Sequence, residues 1–581
     1  MLSKLKYIIP AFLLLTACKK QLDINVDPNN PATVAESKLL PNVEHLLGNS
    51  LATGSGDFQG LSQALANYTH QLTTRESFNQ YGVTGNDYVL QMSWTTLFGT
   101  ELNTISNTSS VLNNNEAIIK IATANGNLKY AGIAKIIKAY AFSQLVDVFG
   151  DVPYSEYNQI IDGKVNLTPK FDKGSDIYPS LMSLLNEGID NLENEDAANR
   201  QAPGTDDVIY GGNVEKWVRA ANTIKLKLLL QQRLIKNVAA EVSALIAENN
   251  LISQTSDSFL MPYGPNGATD DRNPGFSDYY ASQRSNYISP WFYEILKGYN
   301  TKVNTGVVDP RIPYYFFNQT RATGTTANDT EYRDGGFVSI YFGSVGPDKD
   351  KTQQNGMTVL GIYPVGGRYD TGAGGTVTAA SGTGAAPYRF ITYADRLYIE
   401  AELMSLGLAP GNARTKLQAA MVESFKQVDY VITTYVKPNQ TVPALSGTPA
   451  VTAYIDAVLA KYDAAPATVT DPLVPVTKLG YIITQKWISS FGSAVDQYTD
   501  YRRTGYPILF NPKDENMAPG GFVQPPLGGN PALPGAQKPV PVQLNRNYPL
   551  TLPWYSSELE TNSKAPAQKT DPSTYKPFWL P

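Results

Sequence analysis

Residues 129–154 read Lys129-Tyr130-Ala131-Gly132-Ile133-Ala134-Lys135-Ile136-Ile137-Lys138-Ala139-Tyr140-Ala141-Phe142-Ser143-Gln144-Leu145-Val146-Asp147-Val148-Phe149-Gly150-Asp151-Val152-Pro153-Tyr154. Tyr130, Ile133, Ile137, Tyr140, Ala141, Leu145 and Val148 recur at steps of three and four, the period of an apolar helical face. Lys129, Lys135 and Lys138 fall elsewhere on the helix surface. Gly150 and Pro153 end the run, glycine by admitting a left-handed residue and proline by removing a backbone donor.

The same period returns along the chain. A first helix is predicted from Ala35 to Gly48, after the Pro-punctuated stretch Asp23-Ile24-Asn25-Val26-Asp27-Pro28-Asn29-Asn30-Pro31. That stretch begins like a calcium loop, but Pro28 and Val34 occupy the positions that need Gly and Glu. Val214 to Leu234 places Trp217, Ala221, Ile224 and Leu228 on one face. Tyr388 to Leu406 groups Phe390, Ala394, Leu397, Ala401 and Met404, and Gly480 to Arg503 ends at Gly505-Tyr506-Pro507. Trp94 lies on a helical run with Phe98, Leu102 and Ile105, a core pattern. Ala131, Ala134, Ala139, Ala141, Ala394 and Ala401 would let helices approach closely, as in stacked helical hairpins. The spacing of these segments is irregular, so no sequence repeat is read. The fold class is therefore mainly α, with scaffold helices expected over 35–254, 388–434 and 479–506. Loop-rich parts are expected over 255–387, 435–478 and 507–581. The run from Gly366-Gly367 to Gly384 is a surface loop, because it lacks a Gly-Lys-Ser/Thr ending and a βαβ frame.

The N-terminus has the layout of an export signal: Lys4 and Lys6, an apolar stretch from Tyr7 to Leu15, then Leu15-Thr16-Ala17-Cys18. The apolar stretch is too short to span a bilayer. The tetrapeptide resembles the lipobox of bacterial lipoproteins, whose cysteine is diacylated. Residues 1–17 are then a signal peptide, Cys18 the lipidation site, 18–34 a tether and 35–581 a single body. Two acyl chains make such anchoring stable.

Composition removes several function classes. The chain has 581 residues and a net charge of −5, without a Lys/Arg block that would attract nucleic acid. Cys18 is the only cysteine, so no disulfide forms within the chain. The two histidines, His45 and His70, lack partners at metal-ligand spacing, and no Gly-x-Ser-x-Gly elbow accompanies them. No metal or cofactor is expected. Tyrosine is abundant, 36 against 20 Phe and 6 Trp, which suits wet surfaces that must grip a partner.

Four segments together resemble the SusD/RagB family of nutrient-binding outer-membrane lipoproteins. They are Gly132 to Tyr154 with its Phe149-Gly150-Asp151-Val152-Pro153-Tyr154 exit, and Trp217 to Leu226 with Ala221-Asn222. The third is Tyr393-Ala394-Asp395 through Ala401-Glu402. The fourth is Gln485-Lys486-Trp487 followed by Asp500-Tyr501-Arg502-Arg503-Thr504-Gly505-Tyr506-Pro507. The resemblance implies four tetratricopeptide-like helix pairs with loops and small strands packed on one side. It implies a non-catalytic lipoprotein on the outer face of the outer membrane. There it would deliver oligosaccharides, or alternatively oligopeptides, to a SusC-like TonB-dependent transporter. Arg502 and Arg503 are expected to serve the scaffold, paired with carboxylates or helix-end carbonyls.

The candidate binding residues come from local composition. Between Phe259 and Phe317, 14 of 59 residues are aromatic, and polar residues that can take sugar hydroxyls are interleaved. Asp270, Tyr279, Tyr280, Tyr287 and Trp291 are the candidates there. Arg75, Tyr81 and Tyr88 form a second candidate wall. The bland reading of each ring is packing of the loops onto the helices. The rival class is a surface glycoside hydrolase with two carboxylates, for which Asp270, Asp271 and Asp278 are present without a motif.

Overall fold

A computed structural model describes residues 35–54, 59–74, 81–99, 110–161, 164–268, 270–281, 284, 286–321, 331–343, 356–469, 476–523, 539–542 and 546–581. Cys18, the tether, Arg75, Leu102 and Ile105 lie outside the described residues. The helix read first spans Leu128–Phe149 and is buried along most of its length. Gly150 ends it at φ +79°, donating its N–H to the Val146 carbonyl. It forms a hairpin with Val111–Asn125 across Gly126, a left-handed cap that donates to the Ala122 and Thr123 carbonyls. On its other side it packs against Gly174–Glu193. Gly132 and Gly188 meet there: a Cβ on Gly132 would sit 2.7 Å from the Gly188 carbonyl oxygen. The close approach thus rests on glycine, beyond the alanines the sequence pointed to.

Three further pairs follow in chain order: Gly174–Glu193 with Val214–Gln232, Tyr393–Ser405 with Ala413–Val431, and Pro449–Ala464 with Lys478–Ser489. The four pairs form a tetratricopeptide-type scaffold, and no helix among the described residues is long and apolar enough to cross a membrane.

Three expectations need correction. Tyr388–Ile391 is a strand paired with Phe259–Met261, and the helix begins only at Tyr393. A capping box explains the break: Thr392 Oγ1 accepts from the Asp395 N–H, and the Asp395 carboxylate accepts from the Thr392 N–H. The expected helix from Gly480 to Arg503 is two, Lys478–Ser489 and Val495–Thr504, parted near Gly492 at φ +94°. The part expected to be loop-rich at 435–478 contains Pro449–Ala464, started by proline and by Thr448 accepting from the Val451 N–H.

Charged side chains join the pairs at the centre. Arg503 is bonded to both Glu402 and Asp500, and all three side chains are at most 3% exposed. Arg233 reaches Glu402 at 3.1 Å, Lys486 reaches Asp500 at 2.7 Å, and Lys227 reaches Asp496 at 2.6 Å. Arg502 donates to the Tyr498, Leu550 and Asp147 carbonyls. Both arginines therefore serve the scaffold, as the sequence implied. Burial alone would raise the Glu402 carboxyl; Arg503 and Arg233 together outweigh it and hold the group below its usual range. For Asp500, Lys486 and Arg503 likewise outweigh burial.

The last segment straps this framework. Trp579 Nε1 donates to Asp147 Oδ1 at 2.9 Å, and Lys569 Nζ donates to the Phe149 and Leu552 carbonyls at 2.6 Å. Lys569 thus caps a helix C-terminus while its ammonium lies 4.2 Å from the Trp554 ring centroid. The loops are pinned by Arg311, fully buried, which pairs with Asp309 at 2.6 Å and donates to Ser424 Oγ at 3.2 Å.

The charge cluster gives a pH signature. Carboxyls held below their unfolded pKa contribute stability that is complete above the unfolded value and lost as pH falls through the folded one. The cluster's contribution to stability is expected to be complete near neutrality and to be lost below about pH 4, the ordinary carboxylate range. The Asp147 carboxyl, raised by burial to about 6, acts in the opposite sense, its contribution being lost as pH rises through that value. Glu402→Gln leaves Arg503 and Arg233 short of a charge partner and is expected to cost about 3–5 kcal/mol at pH 7, with a shallower acid limb. Denaturant melts of the two proteins across pH check this; equal stability at pH 7 would contradict it.

Candidate functional site

Strand Leu72–Thr74 pairs antiparallel with Asn286–Ile288, with Thr73 opposite Tyr287. This pairing sets Tyr81, from one candidate wall, and its neighbour His70 near Trp291 of the other, with Phe510 between His70 and Trp291. The chain leaves the second strand through Ser289 into the helix Pro290–Lys297, where proline at the first turn fixes the entry. Trp291 thereby borders an open cleft lined by Ser289, Pro290, Trp291, Glu294, Tyr341, Phe342, Phe510 and Val523.

The cleft wall is a continuous ring cluster. Trp291 lies 5.8 Å from Phe510, and its Nε1 donates to the Ile508 carbonyl at 2.9 Å. Behind it, His70 packs on Phe342 at 4.0 Å, and its Nε2 meets the Tyr81 hydroxyl at 2.7 Å. Burial pushes the His70 pKa down to about 3, so this imidazole is neutral and does no acid–base work near pH 7. Two hydroxyls stand out at the cleft. Ser289 Oγ and Tyr341 Oη are buried and have no hydrogen-bond partner among the described residues. A buried polar group left unpaired costs about 1–3 kcal/mol, so such groups mark places where something else completes the bonding. Burial, and then the charge of nearby Glu294, push the Tyr341 phenol up, so it stays a protonated donor.

The candidate residues divide into three groups. Trp291 and Tyr81 share this ring cluster, and both are largely buried, Trp291 5% and Tyr81 6% exposed, with only an edge of Trp291 bordering the cleft. Asp270 and Tyr280 lie elsewhere, joined by Arg272, which donates to Asp270 Oδ1 at 2.8 Å and to Tyr280 Oη at 3.3 Å. Tyr279 and Tyr287 are each 1% exposed and act as packing, which corrects the reading of them as a presented wall. Tyr279 stacks on Phe276 at 5.0 Å under the glycine-rich loop, and Tyr287 packs with Val338, Ile340 and Met357. Tyr88 begins the helix Tyr88–Phe98, is exposed, and does not line the cleft; Trp94 in that helix is core, as expected. Sequence reasoning missed the adjacent pair Tyr341-Phe342 and the single Phe510, which lie outside the dense stretch. Among the described residues, no three His, Cys, Asp or Glu side chains are grouped to hold a metal ion.

The comparisons agree in direction. A family model described as "Starch-binding associating with outer membrane", the SusD-like model, matches residues 28–524. A solved structure of a SusD homologue from Bacteroides fragilis has a TM-score of 0.59 at 19% identity, covering 91% of this chain and 94% of that one. A SusD/RagB family protein from Bacteroides thetaiotaomicron gives 0.59 at 18%, covering 92% and 95%. A structure titled as a chitin-binding protein gives 0.58 at 18%, covering 90% and 94%. No curated protein matches the sequence.

The division of the tyrosines is testable without any ligand. Tyr279→Ala and Tyr287→Ala each remove a buried ring and are expected to cost about 3–5 kcal/mol in denaturant melts. Tyr280→Ala, half-buried, should cost clearly less. Equal losses at all three positions would contradict the division.

Proposed function

The chain belongs to the SusD-like family, and on that footing we propose that it is a non-catalytic capture protein for neutral oligosaccharides, bound at the cleft beside Trp291. The observation that carries this reading is the pairing of aromatic faces with the unpartnered hydroxyls of Ser289 and Tyr341. Sugar rings offer C–H faces to aromatics and hydroxyls to polar groups, and this cleft supplies both. The protein hangs from the outer membrane by an acylated Cys18, faces outward, and hands its cargo to a SusC-like TonB-dependent transporter. The starch-binding description of the family and the chitin-binding title of a structural neighbour support the glycan class.

Calorimetric titration with maltoheptaose, chitohexaose and a mixed oligopeptide pool tests the reading. Binding of a glycan without release of new reducing ends is expected. Tyr341→Phe is the discriminating variant: removing an unpaired buried hydroxyl should leave thermal stability unchanged or higher. Affinity should nevertheless fall by roughly three- to tenfold, the worth of a hydrogen bond of about 0.5–1.5 kcal/mol. Trp291→Ala should cost about 1–3 kcal/mol of binding, by analogy with other ring-on-aromatic contacts. Peptide binding alone would replace the cargo, and released sugars would overturn the non-catalytic reading.

The anchor has its own test. Cys18→Ala is expected to move the protein from the membrane fraction to the soluble fraction, and the wild type should be open to protease on intact cells. Wild-type protein free in the periplasm would contradict the anchor.

A further inference from the structure

A second, open cleft lies where the helix Glu36–Leu51 faces the loop before Pro274. It shares no lining residue with the cleft at Trp291. Its wall is built from His45, Asn49, Tyr263, Asp270, Asp271 and Arg272.

The loop presents these groups in fixed positions. Asp271 closes it on itself: its carbonyl accepts from the Gly264 N–H at 2.9 Å and its Oδ1 from the Asn266 N–H at 2.8 Å. Asp270 Oδ1 takes both bonds from Arg272, Nε at 3.0 Å and Nη2 at 2.8 Å. The guanidinium lies 5.4 Å from the Phe276 centroid and 5.6 Å from that of Tyr280, which holds its plane. Across the cleft, Tyr263 Oη donates to Asn49 Oδ1 at 2.9 Å, and the His45 ring lies 6.2 Å from the Tyr263 ring.

Unused bonding capacity faces the same space. Beyond the bonds given above, Asp270 keeps acceptor capacity, Asn49 its amide donor and His45 its ring nitrogens, and with Asp271 these groups line the cleft. Two acceptors, an amide donor and an imidazole that can do either thus converge beside a tyrosine ring. Charge decides among ligand classes. Arg272 neutralises Asp270, which weakens the pull on a cation, and the Asp271 carboxylate repels an anion. Burial lowers the His45 pKa, against a smaller opposing effect from Asp271, so the ring is uncharged near neutrality.

We infer that this cleft is a second, independent subsite for a neutral polyhydroxylated ligand, a sugar residue held by paired hydroxyl contacts instead of by aromatic faces. The inference rests on the proposed capture of glycans and adds to it a polar site on a different part of the molecule. The sequence had merged the two, because Asp270 and Tyr280 lie within the aromatic-rich stretch that also holds Trp291.

Titration calorimetry with maltotriose and chitotriose, probes of three sugar residues, tests it on the full mature chain. Two binding events per chain are expected. Asp271→Asn keeps the shape and the loop bond to Asn266 but removes the charge. His45→Ala opens the other wall. Each should weaken one event at least tenfold and leave the other within twofold, whereas Trp291→Ala should do the reverse. Thermal melting of Asp271→Asn and His45→Ala within about 2 °C of wild type separates lost contacts from lost folding. Trp291→Ala removes a ring only 5% exposed and is expected to melt lower, so its titration is run well below that melt. A single event, weakened by Trp291→Ala and untouched by both polar variants, overturns the second subsite while the capture function stands. No heat with either probe or with maltoheptaose and chitohexaose overturns both.

Discussion

Arg503 sits between Glu402 and Asp500 with none of the three open to solvent, and the scaffold is arranged around that contact. Glu402 comes from one helical pair, Lys486 from the next, Arg233 from an earlier one, and Asp500 and Arg503 from the short helix that follows them all. Helical pairs of this kind ordinarily stack through apolar faces alone, which specify proximity better than register. A buried ion network adds direction, because each charge left without a partner would cost several kcal/mol. Two of the four family-like segments, the one ending at Glu402 and the one from Gln485 to Pro507, are therefore segments whose charges meet.

This explains what the sequence could and could not disclose. Periodic apolar faces were legible because each helix buries one side over many residues, as in Leu128–Phe149. The fate of Arg502 and Arg503 was legible because buried guanidiniums demand acceptors whatever the fold. Tyr388–Ile391 was misread because a strand buried on both faces and a helical turn carry the same apolar residues. The Thr392-Asp395 capping pair that separates them is a four-residue signal inside a longer pattern.

The candidate sites were legible only in part, for a different reason. Composition identified the stretch that carries Trp291 and Tyr280, but it could not tell which rings face inward. Tyr279 and Tyr280 are neighbours in the chain, yet one is packed beneath the glycine-rich loop and the other borders Arg272. Tyr341 and Phe510 enter the Trp291 cleft from segments far away in sequence. Such convergence is a property of tertiary packing, and no local pattern encodes it.

The strap from Lys569 to Trp579 bears on how the molecule comes into being. Asp147 waits for an indole 432 positions further along the chain, and the Phe149 carbonyl waits for an ammonium 420 positions on. The first helical hairpin can form early, and Tyr178 already meets the Asp147 carboxylate, but the bond to the Phe149 carbonyl and the second bond to Asp147 come from residues more than 400 positions on. Contacts of such separation form late and slow the closing of the fold.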